Sequence, residues 1–568
     1  MSGSDPADRT EPWWTDAVVY QVYPRSFADG NGDGVGDLAG IRQHLDHIAD
    51  LGVDVIWLSP VYRSPQADNG YDISDYEDID PLFGTIDEFD ALLVEVHRRG
   101  MKLVMDLVVN HSSDRHPWFQ AAKRSRSCPK HDWYIWRDPV DGHEPNEWRA
   151  AFGGPAWSWD PGTGQYYLHM FTPQQPDLNW DDPDMRSAVY AMMNGWLDRG
   201  VDGFRMDVIN HIAKDPAALS DGSAAYVMQP RIHDHLREMH ERVFAGRDAL
   251  LTVGEMPGVT VEDAARFTDP ARHELDMVFQ FEHVGLDHGP STKFDNRPFD
   301  LPELKASLAR WQDGLAEVGW NSLYLGNHDQ PRAASRFGAA AVAAAAGLDA
   351  DPLAFRYESA TLLATVLHLH RGTPYVYQGD EIGMVNAGFR SIDEYRDVES
   401  LNWFRGAVGR GMPIAAALEA LAVRSRDNAR TPIPWDDSEP AGGFSRTTPW
   451  IGMGQGWPTV TVAADRAAGD RSVYEHHRRL IDLRHTSRTV RLGAFALLEP
   501  DHPSLWAFTR RLADASEPAL AVVANLSSSP LELPRSIVTR LGACVLGNLA
   551  DPETGALRPW EARVHEFA

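Results

Sequence analysis

Cysteine is nearly absent. Cys128 and Cys544 are the only two in 568 residues, too few for a disulfide framework, and no CxxC metal pattern occurs. Cations are also scarce. The 53 Lys and Arg against 82 Asp and Glu leave a net charge of −29, which argues against nucleic acid or an anionic membrane as partner. That field either serves solubility alone or suits a neutral or cationic small ligand, or a bound cation. No apolar run reaches the roughly 18 residues of a membrane span, and the Ala-rich stretch Ala339–Gly347 reads as a helix segment. The N-terminus, Met1-Ser-Gly-Ser-Asp-Pro-Ala-Asp8, lacks the basic and apolar regions of a signal peptide, so a reduced, cytoplasmic protein is the expectation. No serine nucleophile elbow, HExxH or P-loop pattern is present.

What the chain does contain is a globular composition, 43% apolar, and enough length for two to four domains. Short apolar runs recur at Ala17–Tyr23, Val53–Leu58, Lys102–Val108, Asp202–Met206, Ala249–Gly254, Met277–Phe281, Ser322–Gly326 and Thr373–Gln378, with helical periodicity between them. This α/β alternation predicts eight parallel strands closed into a (β/α)8 barrel. About 90 residues separate the third and fourth runs, far more than a crossover needs. Residues 111–178, rich in Trp, Pro, Gly and Asp, therefore read as a small inserted domain. The barrel then occupies 1–110 and 179–485, and the alternating strands of 486–568 read as a C-terminal β-sandwich.

Barrel chemistry belongs just past the strand ends. There the third run gives Asp106-Leu-Val-Val-Asn110-His111, the fourth Gly203-Phe-Arg205-Met-Asp207-Val208, the fifth Gly254-Glu255 and the seventh Asn327-His328-Asp329. One such aspartate is as often a helix cap as a catalyst; the four segments together resemble glycoside hydrolase family 13, the α-amylase family, over nearly the whole chain. The resemblance implies a retaining mechanism, in which one carboxylate attacks the anomeric carbon while a second carboxyl protonates the leaving oxygen. Asp207 is then the nucleophile, Glu255 the acid/base and Asp329 the third carboxylate. Arg205 is expected to hold Asp207 ionised, while neighbouring anions raise Glu255. His111 and His328 are either donors to sugar hydroxyls or rim packing.

Further segments resemble the oligo-1,6-glucosidase branch. Asp68-Asn-Gly-Tyr71 would enclose the non-reducing glucose, Asp68 accepting from its hydroxyls and Tyr71 stacking on its ring. Phe171 and Gln175-Pro-Asp-Leu-Asn-Trp180 match a segment typical of the branch, and Asp427-Asn-Ala-Arg430 a loop whose Arg meets the sugar. Each also reads as ordinary turn chemistry. Val208, after the nucleophile, either packs or accompanies α-1,6 cleavage, where Thr or Ala accompanies α-1,4. Val284-Gly-Leu-Asp-His288 stands where sucrose isomerases carry an Arg-rich segment, and Pro432-Ile-Pro-Trp435 departs from the usual dipeptide before that Trp.

Asp29-Gly-Asn31-Gly-Asp33-Gly-Val35-Gly-Asp37 sets oxygen side chains at alternate positions between glycines. This is either an Asp/Gly turn or a wrap around a hard cation such as a structural Ca²⁺, with a carbonyl ligand from Val35. The branch has a Ca²⁺ loop of this pattern. The same glycines imitate a dinucleotide fingerprint, Gly34-Val-Gly36-Asp-Leu-Ala39, but three aspartates would face the pyrophosphate, so no organic cofactor is expected.

The expectation is an exo-α-glucosidase acting on short isomalto-oligosaccharides. Its partner is a small oligosaccharide rather than nucleic acid or membrane, and its assembly a monomer or small homo-oligomer. Maltase-type hydrolysis, trehalose-6-phosphate hydrolysis and glucosyl transfer share its catalytic residues. A catalytically silent transporter-associated relative would need a membrane span and no carboxylates.

Overall fold

The computed structural model describes residues 11–215, 226–345, 347, 351–552 and 555–568; Met1–Asp8 and Ala346, both read above, lie outside them. Eight short strands form one parallel sheet: β1 (Val19–Val22), β2 (Val55–Leu58), β3 (Lys102–Leu107), β4 (Gly203–Met206), β5 (Leu251–Glu255), β6 (Met277–Phe279), β7 (Ser322–Leu323) and β8 (Thr373–Tyr377). Ladders join each strand to the next from β1 to β6, and β8 to both β1 and β7. A parallel bridge between Val278 and Asn321 brings β6 to β7 and closes the ring.

The strands are short apolar runs because both faces are covered. Val19, Val55, Trp57, Val104, Leu251, Val253, Met277, Phe279 and Tyr375 fill the barrel interior. Their alternates Tyr20, Ile56, Leu58, Leu103, Met105 and Phe204 face the helices. Helix boundaries follow local chemistry. Ile86–Arg98 starts on a Thr85/Glu88 capping box. Pro183–Arg199 starts on Asp182 with Pro at the first turn and ends on Gly200 in the left-handed region.

Between β3 and helix Pro183–Arg199 the chain leaves and rejoins the barrel through bridges His111–Asp177 and Tyr134–Leu178. In between it builds a three-stranded sheet, Trp136–Arg137, Trp157–Asp160 and Gln165–Leu168, over a small core of Ile135, Trp148, Ala156, Trp157, Leu168 and Met170. The C-terminal domain is an antiparallel sheet of β9 (Ala494–Leu498), β10 (Leu505–Arg511), β11 (Ala519–Asn525), β12 (Leu541–Gly547) and β13 (Ala562–Phe567), in the order β9-β10-β11-β13-β12. One face packs Trp506, Phe508 and Val564 against barrel helices, and the other is covered by the pair Leu531–Glu532 and Ala556–Leu557. No helix among the described residues is long and apolar enough to cross a membrane.

Candidate active site

Parallel register brings the first charges together. β3 and β4 pair Asp106 with Arg205, and β4 and β5 pair Arg205 with Val253 and Met206 with Gly254, so Glu255 ends β5 beside Asp207. Gly203 lets β4 start this close: its φ is 141°, and a Cβ there would sit 2.0 Å from the Leu251 carbonyl oxygen. The Asp207 N–H donates to Leu107 O at 2.9 Å, which extends the β3–β4 ladder to the nucleophile candidate itself.

The fully buried Arg205 then divides its guanidinium among three carboxylates. Nη1 donates to Asp106 Oδ1 at 2.7 Å and to Asp207 Oδ1 at 2.9 Å, and Nη2 pairs with Glu255 Oε2 at 2.7 Å. Val208 N–H reaches the same Oε2 at 3.0 Å. Burial, followed by the charge of Glu255, pushes the Asp207 carboxyl well above its ordinary range, against Arg205. Arg205 acts in the direction expected of it, lowering Asp207, while burial and the Glu255 charge act the other way. One cation is therefore shared three ways in a desolvated site. Burial likewise lifts Asp106 to about 6, although Arg205 and Tyr71 favour its anion.

A second charged group gathers around Asp329. Asp329 meets Arg430 Nη2 at 2.5 Å and Arg426 Nη1 at 3.4 Å. Burial would raise its carboxyl, but the adjoining His328 ring, Arg426 and Arg430 outweigh burial and hold it far below the usual range. Arg426 also pairs with Asp68 at 3.0 Å and Asp397 at 2.6 Å, and lies 4.6 Å over the Phe152 ring. Tyr71 donates to Asp106 at 3.1 Å, meets His328 Nε2 at 2.6 Å and stacks on that ring with centroids 5.3 Å apart. Gln175 Nε2 reaches Asp68 at 3.3 Å and His111 at 3.1 Å; Phe171 tilts against His111 at 5.1 Å. Burial lowers both His111 and His328 to about 3, so both rings are neutral.

Val208 adopts φ 35° and ψ 43°, a left-handed conformation rare for a β-branched residue. Strain of this kind costs on the order of 1–3 kcal/mol. The N–H bond to Glu255 holds the turn and buries the side chain beside the carboxyl pair.

Comparison with known proteins gives the chemistry its setting. The α-amylase catalytic domain matches residues 21–493. The chain belongs to the α-amylase family. It is 48% identical to the oligo-1,6-glucosidase of Parageobacillus thermoglucosidasius, over 98% of this chain and 99% of that protein. It is 45% identical to the trehalose-6-phosphate hydrolase of Bacillus subtilis (strain 168), over 98% of each. A crystal structure of Bacillus licheniformis trehalose-6-phosphate hydrolase superposes with a TM-score of 0.91 at 41% identity, covering 98% of this chain and all of that one. As a family member the chain is a glycoside hydrolase.

For an α-amylase-family enzyme the least expected participant is Arg426. Sequence reasoning singled out Arg430 and passed over Arg426, although it is the residue that joins Asp68 to Asp329. Its signal was available: a Ser-Arg-Asp-Asn-Ala-Arg run with two arginines in a buried loop demands anionic partners. Asp106 was legible as a rim residue, but not as the third claimant on Arg205.

The Asp29–Asp37 loop stands apart from these residues and is wound by its own side chains. Asp29 accepts from Gly32 and Gly34 N–H at 2.6 and 2.8 Å, and Asp37 from Gly30, Asn31 and Gly40 at 3.1, 3.0 and 2.6 Å. Among the described residues no three His, Cys, Asp or Glu side chains are grouped to hold a metal. A cation here would need the Asn31 amide and Val35 carbonyl oxygens beside the aspartates. That all-oxygen set fits a hard ion, since Asp29 Oδ1, Asn31 Oδ1, Asp33 Oδ1 and Asp37 Oδ2 each accept one N–H and keep a lone pair, although Asp37 Oδ1 and Asp29 Oδ2 already accept two bonds each.

Proposed function

We propose that the chain is a retaining, exo-acting α-glucosidase that releases terminal glucose from short α-glucosides, α-1,6-linked isomalto-oligosaccharides foremost. The observation that supports the exo reading is Arg426, which ties Asp68 to Asp329 while Gln175 reaches the same Asp68, a cluster suited to close the non-reducing end of the site. A pocket closed at that end admits a chain terminus and not a chain middle.

The chemistry follows from which oxygens are spoken for. Arg205 occupies Asp207 Oδ1, and Arg205 with Val208 N–H occupies Glu255 Oε2. Oδ2 is left to attack the anomeric carbon and Oε1 to carry the proton. Glu255 gives that proton to the departing oxygen as the Asp207–glucosyl ester forms. It then takes a proton from the water that opens the ester with a second inversion, so the product is α-glucose. Asp329, kept anionic by Arg426 and Arg430, binds glucose hydroxyls and stabilises developing positive charge. His111 and His328 fix the walls around them.

The Asp29–Asp37 loop takes one Ca²⁺-like ion for structure. Unpaired Cys128 and Cys544 suit a reducing, cytoplasmic setting. The α-1,6 preference draws support from the relatives named oligo-1,6-glucosidase and from Val208 beside Glu255. A hydrolysis panel of isomaltose, maltose, sucrose, trehalose and trehalose-6-phosphate tests it: isomaltose should give the highest kcat/KM, and a dominant rate on trehalose-6-phosphate or maltose would replace the substrate assignment.

A further inference from the structure

Lys214 lies seven residues beyond Asp207, is enclosed to 1% side-chain exposure, and has no part in the chemistry above. An ammonium is buried at a cost unless it is paired. Its Nζ donates to Asn110 Oδ1 at 2.6 Å and pairs with Asp177 Oδ2 at 3.1 Å. The Asn110 amide is thereby oriented from both ends: its oxygen faces the cation, and its nitrogen lies 3.5 Å from Asp177 Oδ1. A flipped amide would set NH2 against the ammonium.

The orientation has a consequence one residue on. Asn110 Nδ2 lies 3.0 Å from His111 Nδ1, and an amide nitrogen can only donate, so Nδ1 accepts and the ring proton sits on Nε2. Nε2 in turn is 3.0 Å from the Tyr71 carbonyl, its acceptor; the two Gln175 amide hydrogens go to that same carbonyl and to Asp68, so the 3.1 Å approach of Gln175 Nε2 to His111 Nε2 is a packing contact and not a hydrogen bond. We propose that Lys214 is a positioning residue for glycoside cleavage: by fixing the Asn110 amide it sets the His111 tautomer, and through it the Tyr71–Gln175–Asp68 wall that grips the terminal glucose. The inference rests on the glucosidase reading above.

The other side of Lys214 offers a way to test it. With Tyr134, Asn179, Trp180 and Ile212 it lines a cavity of about 330 Å³, large enough for a small amine. Lys214→Ala and wild type are compared on 4-nitrophenyl α-glucoside and its 2-, 3-, 4- and 6-deoxy analogues, with and without ethylammonium. Misplacing the wall should lower kcat/KM by about 100-fold on the parent glycoside. The penalty for deleting one particular glucose hydroxyl should shrink by about 10-fold while the other penalties stay, because only the hydroxyl held by that wall has lost its partner. Ethylammonium should restore rate saturably, and neutral ethanol should not.

Asn110→Asp gives an independent arm. The carboxylate keeps the Lys214 pair but can only accept from His111, which moves the ring proton to Nδ1. It should show the same hydroxyl-specific loss without amine rescue. A uniform loss across the deoxy series with no amine rescue, or an Asn110→Asp enzyme with the wild-type hydroxyl pattern, would overturn the proposal and leave Lys214 a folding brace. A wild type inactive on the parent glycoside would instead remove the glucosidase reading itself.

Discussion

Replacing Arg205 is the perturbation whose outcome the geometry constrains most. Among the described residues its guanidinium is the one cation in contact with Asp106, Asp207 and Glu255, at 2.7, 2.9 and 2.7 Å. Removing one partner of a buried pair costs about 3–5 kcal/mol. Arg205→Met should therefore lower kcat/KM by about 10²- to 10⁴-fold, at roughly 1.4 kcal/mol per decade. Arg205→Lys should rescue little, since one Nζ cannot reach three oxygens that a planar fork spans. The pH dependence carries the sign. Arg205 opposes the burial that raises Asp207 and Asp106, so its loss must raise both carboxyls further. The acid limb of kcat/KM, where the nucleophile must ionise, should move to higher pH in both variants. The assay is kcat/KM on 4-nitrophenyl α-glucoside across the acid limb, with folding checked by circular dichroism. An acid limb at its wild-type position in folded Arg205→Met would refute the shared-cation reasoning.

Other perturbations read other parts of the account. Val208→Thr keeps a β-branched residue in the strained turn while exchanging a methyl for a hydroxyl; the isomaltose-to-maltose ratio of kcat/KM should move toward maltose by about 10-fold, and an unmoved ratio removes Val208 as the determinant. Asp33→Ala should lower both bound Ca²⁺ by elemental analysis and Tm by calorimetry, because an ion bound only by the folded state stabilises that state; unchanged values would make the loop a turn. Asp287 is raised by burial but brought down to about 2 by Arg336 and Arg424, which pair with it at 2.5 and 2.7 Å. Its folded value lies below the ordinary 3.8, so its contribution of about 2 kcal/mol is present above pH 4 and lost as pH falls toward 2. Asp287→Asn should destabilise by that amount in urea at pH 7 and by about half of it at pH 3.

Much of the fold was legible because buried parallel strands write themselves as continuous apolar runs. All eight runs coincide with a strand, though the fifth strand ends one residue past its run, at Glu255, and the Ser322–Gly326 run shortens to Ser322–Leu323. There the chain turns early toward the rim residues Asn327, His328 and Asp329, and apolar character persists past the last ladder bond. The sheet of 486–568 was legible from alternation, whereas its second layer, only the Leu531–Glu532 and Ala556–Leu557 pair, is too short for periodicity to register. Within the site, Asp207, Glu255 and Asp329 stood out because a core strand should not end in carboxylates. Arg426 did not, since its partners Asp329 and Asp68 lie 97 and 358 positions away. The sharing of Arg205 was out of reach for a related reason: a motif shows Arg205 two residues from Asp207, but only the strand register reveals that Asp106 and Glu255 claim the same guanidinium.

The central claim is that Asp207 forms a glycosyl ester. Incubation with 5-fluoro-α-glucosyl fluoride, whose leaving group needs no proton, followed by peptide mass spectrometry reads it directly. One fluoroglucosyl adduct is expected on the peptide carrying Asp207, absent in Asp207→Asn, with α-glucose as the first anomer seen by NMR with natural substrate. An adduct on another carboxylate, or initial release of β-glucose, would contradict it.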